Sequence, residues 1–391
     1  MIVEHLSLVD FRNYAEAEVS LAPGATVFVG SNGQGKTNLA EAIAFFATLG
    51  SHRVAQDAPL VRDGAESAVV RTWLAHGERH VQLEAQIFRQ GSNKARVNGS
   101  AVKAAELPRY AQVVLFAPED LQIVRGDPSA RRRFADQLLV QRSPRLAGVI
   151  ADYERVLKQR NALLKSARAR GIRGEGLSTL EVWDDKLVAL GSELIRARLT
   201  LASELAGPLA SAYTAIAGAD HGAELEWSLS VAGAGDDDDE DASGRAALDI
   251  AAPDPDTVQS LFREALAARR TSELDRAVTL VGPHRDDLVL RVRGLPVKGY
   301  ASHGESWSMA LGLRLASAQL LRAESRLGDP VLILDDVFAE LDAERRERLA
   351  SLTEGFEQVI VTAAVAHDVP DALRARVIRV QGGRILETTD A

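Results

Sequence analysis

The sequence contains no cysteine. That absence excludes a disulfide framework, thiolate zinc sites, iron–sulfur clusters and cysteine nucleophiles together. Aromatic residues are scarce, at 5% of the chain, and no aromatic-rich ribbon of the kind that stacks single-stranded bases is present. Long apolar runs are missing too: charge, glycine or proline interrupts every hydrophobic stretch before the ~18–20 residues that a membrane span needs. The opening MIVEHLSLVDFRNY has neither the basic end nor the apolar centre of a secretory signal, so the expectation is a cytoplasmic protein with no membrane partner. What is there is 391 residues, 46% apolar and 26% charged, enough for two or three domains with sizeable cores.

Net charge is −9, but it is unevenly spread. Residues 236–241 are six consecutive acids flanked by small residues, the composition of a solvated loop. Arg125 to Arg173 holds thirteen basic residues against four acids, a local charge of +9. A basic segment in an acidic protein suits a polyanion. A solvated helical face in an arginine-rich protein, with only seven lysines, is the competing explanation.

Periodicity divides the chain. The first hundred residues read mostly as strands (IVEHLSLVDF, TVFVG, AVVRTWLA, HVQLEAQIF), with Asn98-Gly99 as a hairpin turn and QVVLFAPEDL as a buried strand ending at Pro118. From Ser129 to about Gly218 the period is helical. Leu146, Ile150, Tyr153, Leu157 and Leu164 share one face, and Leu180, Trp183, Leu187, Leu190, Leu194, Ala197 and Leu201 form a seam with coiled-coil spacing. The simplest arrangement is an antiparallel helix pair joined by GIRGEGLST and bounded by Pro144 and Pro208, since proline breaks a helix interior. PVLILDDVF and QVIVTAA then read as buried strands. The expected organisation is 1–128, then a helical arm 129–278 carrying an acidic insertion at about 232–256, then 279–391.

The sharpest motif is Gly30-Ser31-Asn32-Gly33-Gln34-Gly35-Lys36-Thr37, a GxxxxGK[ST] phosphate loop between a strand and a helix. Glycines let backbone N–H groups converge on phosphate oxygens, and the helix N-terminus adds a positive dipole end. Lys36 reaches the β- and γ-phosphates of ATP, and Thr37 offers its hydroxyl to Mg²⁺. The second motif is the apolar strand 331–334 ending in Asp335 and Asp336. Carboxylates at the end of a buried strand need pairing or a metal. Asp335 is the expected Mg²⁺ ligand, whereas Asp336 either polarises the attacking water or serves as a cap or salt-bridge partner. A third element, Ser302-His303-Gly304-Glu305, opens a long helix about thirty residues before that strand. Alone it is ordinary N-cap material.

In this order, these motifs and the following Glu340-Leu341-Asp342 resemble the ABC-type ATPase heads, the group that includes the SMC proteins. Within that group the chain is similar to the RecF family of bacterial DNA-repair proteins. The likeness runs through LSLVDFRNY, GSNGQGKTNLAEAI, GSHR at 50–53, FAPEDLQIVRGDPSARRRFAD, VGPHRDDL, YASHGESWSMALGLRLA and LILDDVFAELD. It implies an α/β fold: an ABC-type P-loop head, a mixed sheet with an antiparallel β-subdomain, plus an α-helical arm.

It further implies a homodimer closed on two ATP molecules, with Ser302 and Gly304 of one copy capping the γ-phosphate held by Lys36 of the other, and slow hydrolysis that works as a clamp switch. Duplex and gapped DNA would be bound, with RecR and RecO as partners in placing RecA. Localisation would be cytoplasmic and nucleoid-associated. Arg12 matches an arginine placed near the nucleotide, and Glu119 and Asp120 fall where other heads carry a glutamine loop, with a salt bridge as the alternative for each. Related heads carry a γ-phosphate-sensing histidine after the strand equivalent to QVIVTAA. Here Thr362-Ala363 stands there and His367 comes later, which leaves the sensor unassigned. Arg131, Arg132 and Arg133 are the expected DNA contacts, sequence-independent and salt-sensitive. His284 and Arg285 read as a polar structural knot, or else as a DNA or interface element. An SMC-like structural head and a transporter ATPase subunit are the alternatives. The short arm argues against the first and the basic helical pair against the second.

Overall fold

The computed structural model describes residues 1–54, 56–171, 178–233, 254–325 and 328–390. The acidic run 236–241 and most of the joint between the two arm helices lie outside them. The described residues cluster into two compact units, one of 1–121, 211–220 and 307–391, the other of 122–210 and 221–306. Residues 279–306 therefore cluster with the helical segment rather than with the C-terminal strands.

In the first unit, alternating burial along β1 (Ile2–Phe11), β2 (Tyr14–Ser20), β4 (Ser67–His76) and β5 (Arg79–Phe88) places one face of an antiparallel sheet on the core. With β6 (Lys94–Val97) and β7 (Ser100–Val102) the order is β2-β1-β4-β5-β6-β7. Asn98 and Gly99 turn between the last two with φ of 49° and 80°, the left-handed pair that a tight hairpin needs. A second sheet is ordered β15-β14-β3-β13-β12-β8, from β3 (Gly24–Val29), β8 (Val113–Phe116), β12 (Val331–Asp335), β13 (Gln358–Ala363), β14 (Arg376–Gln381) and β15 (Arg384–Asp390). All its pairings are parallel except that of β15. Every residue of β12 and β13 is buried, which is why both read as unbroken apolar runs. Helix α1 (Lys36–Thr48) packs against strands of both sheets. Its Leu39, Ile43 and Phe46 belong to one apolar cluster with Leu8 and Ile87 of the first sheet and Ile333 and Ile360 of the second. This mixed α/β head bears out the expected fold class.

The second unit begins as α2 (Leu121–Arg125) leads into α3 (Pro128–Arg142), α4 (Arg145–Ala169), α5 (Ser178–Ala217) and α6 (Pro255–Arg276). A small sheet, β9 (Glu224–Ser228), β10 (Asp287–Val292) and β11 (Leu295–Pro296), and a short α7 (Val297–Tyr300) complete it before α8 (His303–Glu324); α9 (Ala343–Thr353) belongs to the first unit. Helices α4 and α5 are antiparallel: Arg145 pairs with Glu193 at 2.5 Å and Arg160 with Asp184 at 2.7 Å.

One expectation for this region is corrected. Pro208 does not end the helix but sits inside α5. One lost hydrogen bond is outweighed by a buried face that continues through Leu205, Leu209, Tyr213 and Ile216. Further elements pack on the pair. Helix α6 joins it through Arg160–Glu273 and Arg270–Asp184, each at 2.5 Å, and Trp227 of β9 donates to the Arg198 carbonyl at 2.9 Å. Helix α5 buries Leu187, Val188, Leu194, Ile195, Leu199 and Leu201, a face wider than a two-position seam. Among the described residues, no helix is long and apolar enough to cross a membrane.

Candidate functional site

The loop after β3 is shaped by contacts that exclude side chains. A Cβ on Gly30 would lie 2.2 Å from the Val380 carbonyl oxygen. Gly35 has φ of 117°, and its Cβ would meet the Tyr14 hydroxyl at 2.7 Å. Neighbouring elements clamp the loop. Tyr14 donates to the Gly35 carbonyl at 3.1 Å, and Asn13 Nδ2 donates to the Gln34 carbonyl at 3.0 Å. From the β14–β15 turn, Gly382 N donates to Gln34 Oε1 at 2.6 Å and Gly383 N to the Gln34 carbonyl at 3.0 Å. Helix α1 starts at Lys36 without a side-chain cap, and the Gly35 carbonyl accepts from Asn38 N and Leu39 N at 3.0 and 3.2 Å.

Lys36 is buried and, among the described residues, its Nζ donates to backbone, to the Gly30 carbonyl at 2.5 Å and the Ser31 carbonyl at 3.1 Å. Burial draws its pKa down, against the pull of the Asp336 and Asp335 carboxylates. A desolvated ammonium over a glycine-lined loop at a helix N-terminus is a fitting receptor for a phosphate chain.

The sheet brings the second motif here across 298 residues: Thr37 Oγ1 donates to Asp335 Oδ1 at 2.9 Å. Thr362 on β13, in register with Asp335, donates to the same oxygen at 2.6 Å. Asp336 follows with φ of 54°, its N–H bonded to Thr362 Oγ1 at 3.0 Å. Burial raises its carboxyl pKa, opposed by Lys36. A hydroxyl beside a carboxylate is the hard-oxygen pair that suits Mg²⁺. Among the described residues no group of three or more His, Asp or Glu could hold a metal, so its other positions would fall to phosphate oxygens and water.

Two residues beside this centre had no role assigned from sequence. In the sequence Thr362 stands out only as occupying the place of an expected histidine, and its hydroxyl acts through a cross-strand register that no local motif reveals. His52 lies within GSHR, and its Nε2 comes within 3.7 Å of Asp335 Oδ2.

Arg12, in the left-handed region at φ 55°, directs Nε and Nη2 to Glu41 of α1 at 2.7 and 2.6 Å and Nη1 to the Pro59 carbonyl at 3.1 Å. Ser51 also donates to Glu41. Asp120 takes the salt-bridge alternative: both of its oxygens accept from Arg314, at 2.6 and 3.1 Å.

Ser302 and Glu305, in the second unit, form a reciprocal cap at the start of α8. Ser302 N donates to Glu305 Oε2 at 2.9 Å, and Glu305 N to Ser302 Oγ at 3.2 Å. These bonds, with Arg293 at 2.7 Å, hold the Glu305 carboxyl below its usual range. Ser302 is exposed and Gly304 half-buried.

The basic segment is largely answered by acids that folding brings to it. Arg131 is buried, with Nε and Nη2 on Asp287 at 2.6 and 2.8 Å and Nη1 on the Gly126 carbonyl at 3.0 Å. Arg132 donates to the Asp286 carbonyl at 2.7 Å, and Arg160 is fully buried between Asp184 and Glu273. Of the three arginines expected at DNA, only Arg133 is exposed; Lys158, Lys165, Arg168 and Arg170 of the arm are exposed as well. His284 belongs to the same interior, its Nδ1 sharing a 2.7 Å hydrogen bond with the Tyr153 hydroxyl. Burial pushes its pKa down to about 3, which favours the structural knot over a DNA role.

Residues 2–384 match the family model described as the RecF/RecN/SMC N-terminal domain. The "DNA replication and repair protein RecF" of Clavibacter sepedonicus is 59% identical over 99% of this chain and 95% of its own length; that of Frankia alni is 51% identical over the whole of both. Among solved structures, the recombination mediator protein RecF with ATP, in the RecFOR pathway, superposes with a TM-score of 0.84 at 27% identity, covering 100% of this chain and 97% of the other. An archaeal Smc head domain shares the fold alone, at a TM-score of 0.53 and 16% identity. The chain therefore belongs to the RecF/RecN/SMC family and, within it, to RecF.

Proposed function

We propose that this chain is an ATP-switched DNA-binding protein of recombinational repair and replication. The observation that carries the reading is the 2.9 Å bond between Thr37 and Asp335, which unites a phosphate loop and a strand-end carboxylate beside a buried lysine. Residues 30–37 would hold the triphosphate of ATP, with Lys36 on its β- and γ-phosphates. Thr37 and Asp335 would hold Mg²⁺, which supplies charge neutralisation at the phosphate oxygens. Asp336, whose carboxyl burial makes more basic, is suited to polarise a water in slow hydrolysis. Arg12 would steady α1 through Glu41.

Ser302 and Gly304, at an exposed helix start, would complete the nucleotide site of a second copy, so that ATP glues a homodimer. That dimer would grip duplex and gapped DNA through salt-sensitive contacts from Arg133 and the exposed cations of α4. The RecF structure similar to this chain is described in the RecFOR pathway, which supports RecO and RecR as partners in assisting RecA loading, at the nucleoid in the cytoplasm.

Sedimentation with and without ATP and a gapped duplex tests the reading. Wild type is expected to dimerise on ATP and then co-sediment with DNA. Lys36→Ala is expected to lose nucleotide and DNA retention, and Ser302→Arg to bind ATP yet remain monomeric. A normal ATP-induced dimer of Ser302→Arg would refute the shared site.

A further inference from the structure

We propose that His52 is the residue that distinguishes a triphosphate from a diphosphate in this site, a role that rests on the ATP site proposed above. The strand β13 ends in Thr362-Ala363, and the Thr362 hydroxyl is committed to Asp335 Oδ1. The histidine that follows this strand, His367, is exposed. Another imidazole comes from the opposite end of α1: the helix stops at Leu49, whose φ of 55° reverses the chain, and the next turn carries His52 back to the metal-side carboxylate.

That turn is fixed by its own bonds. Thr48 Oγ1 donates to the Gly50 carbonyl at 2.9 Å. Ser51 Oγ donates to buried Glu41 and accepts from the N–H groups of Arg53 and Val54 at 2.9 and 3.1 Å. The ring is 15% exposed, and its Nε2 is closed off from solvent without a hydrogen-bond partner. Asp335 Oδ2, 3.7 Å away, is too distant to serve as one. A desolvated ring nitrogen left unpaired beside the carboxylate that Thr37 also meets is suited to donate to an oxygen of a bound ligand. With Lys36 on the β- and γ-phosphates and Thr37 and Asp335 on Mg²⁺, the terminal phosphoryl group would lie toward His52, so the oxygen that Nε2–H would meet is one ADP does not carry. His52 thus acts as a positioning group, through a charge-assisted hydrogen bond to the third phosphate.

Calorimetric titration of the full chain with MgATP and with MgADP tests this. Wild type is expected to prefer ATP, and His52→Leu to lose about tenfold or more of ATP affinity while ADP affinity holds. His52→Gln, whose Nε2 can reach the same point, is expected to recover most of the preference. Equal losses for both nucleotides, no loss for either, or failure of glutamine to rescue where leucine discriminates would overturn the role of His52. So would a wild-type protein that binds both nucleotides alike. A wild type that binds neither would overturn the ATP site and this role with it, whereas an intact ATP preference in His52→Leu leaves the site standing and removes only the inference.

Discussion

Arg131→Ala is expected to destabilise the second unit rather than to loosen a DNA contact. Arg131 is 5% exposed, and its side chain meets Asp287 through two parallel bonds of 2.6 and 2.8 Å, with a third donated to the Gly126 carbonyl at 3.0 Å. Removing it leaves the carboxylate of buried Asp287 without its cation. An uncompensated buried charge of this kind costs about 3–5 kcal/mol, a large part of the stability of a single domain. Pairing the change with Asp287→Leu removes the stranded charge and is expected to recover much of that loss. Arg133→Ala should change stability by less than about 0.5 kcal/mol, since the side chain is exposed. It should instead lower the slope of log affinity for duplex against log salt by roughly 0.9 if it meets one phosphate. Chemical denaturation and salt titrations of both variants provide the assay. An Arg131→Ala protein as stable as wild type, with a reduced salt slope, would refute the assignment and return Arg131 to the DNA surface.

Other perturbations probe the site and the interior. Asp335→Asn keeps the shape but not the charge, so the Mg²⁺-dependent part of ATP binding is expected to vanish while metal-free nucleotide binding persists; equilibrium binding with and without chelator checks it. Gly30→Ala places a methyl group 2.2 Å from the Val380 carbonyl, and a loss of nucleotide affinity together with about 1–3 kcal/mol of stability is expected on calorimetry and melting. His284 has a folded pKa of about 3, below its ordinary 6.5, because burial disfavours the cation. Its contribution to stability is therefore complete above pH 6.5 and lost as pH falls toward 3, on the order of 5 kcal/mol in all. Asp286, raised by burial, acts in the opposite sense, so the wild-type minus His284→Gln difference across pH is the quantity to measure.

Local chemistry determined much of this protein from the sequence alone. The phosphate loop is legible because its glycines, lysine and threonine must be contiguous to cradle a phosphate. Strands β12 and β13 are legible because a parallel strand buried on both faces leaves an unbroken apolar run, and Asn98-Gly99 because few residue pairs tolerate a tight hairpin. Tertiary structure decided what depends on partners distant in sequence. Thirteen cations between Arg125 and Arg173 look alike as letters, yet folding buries Arg131 against Asp287 and Arg160 against Glu273 while leaving Arg133 in water. Pro208 sits within a helix because burial of the face around it outweighs one hydrogen bond. His52 and Thr362 reach Asp335 only because a cross-strand register and a helix-end reversal deliver them. A charge carries no mark in the sequence of whether water or a carboxylate will meet it; only the packing of the chain settles that.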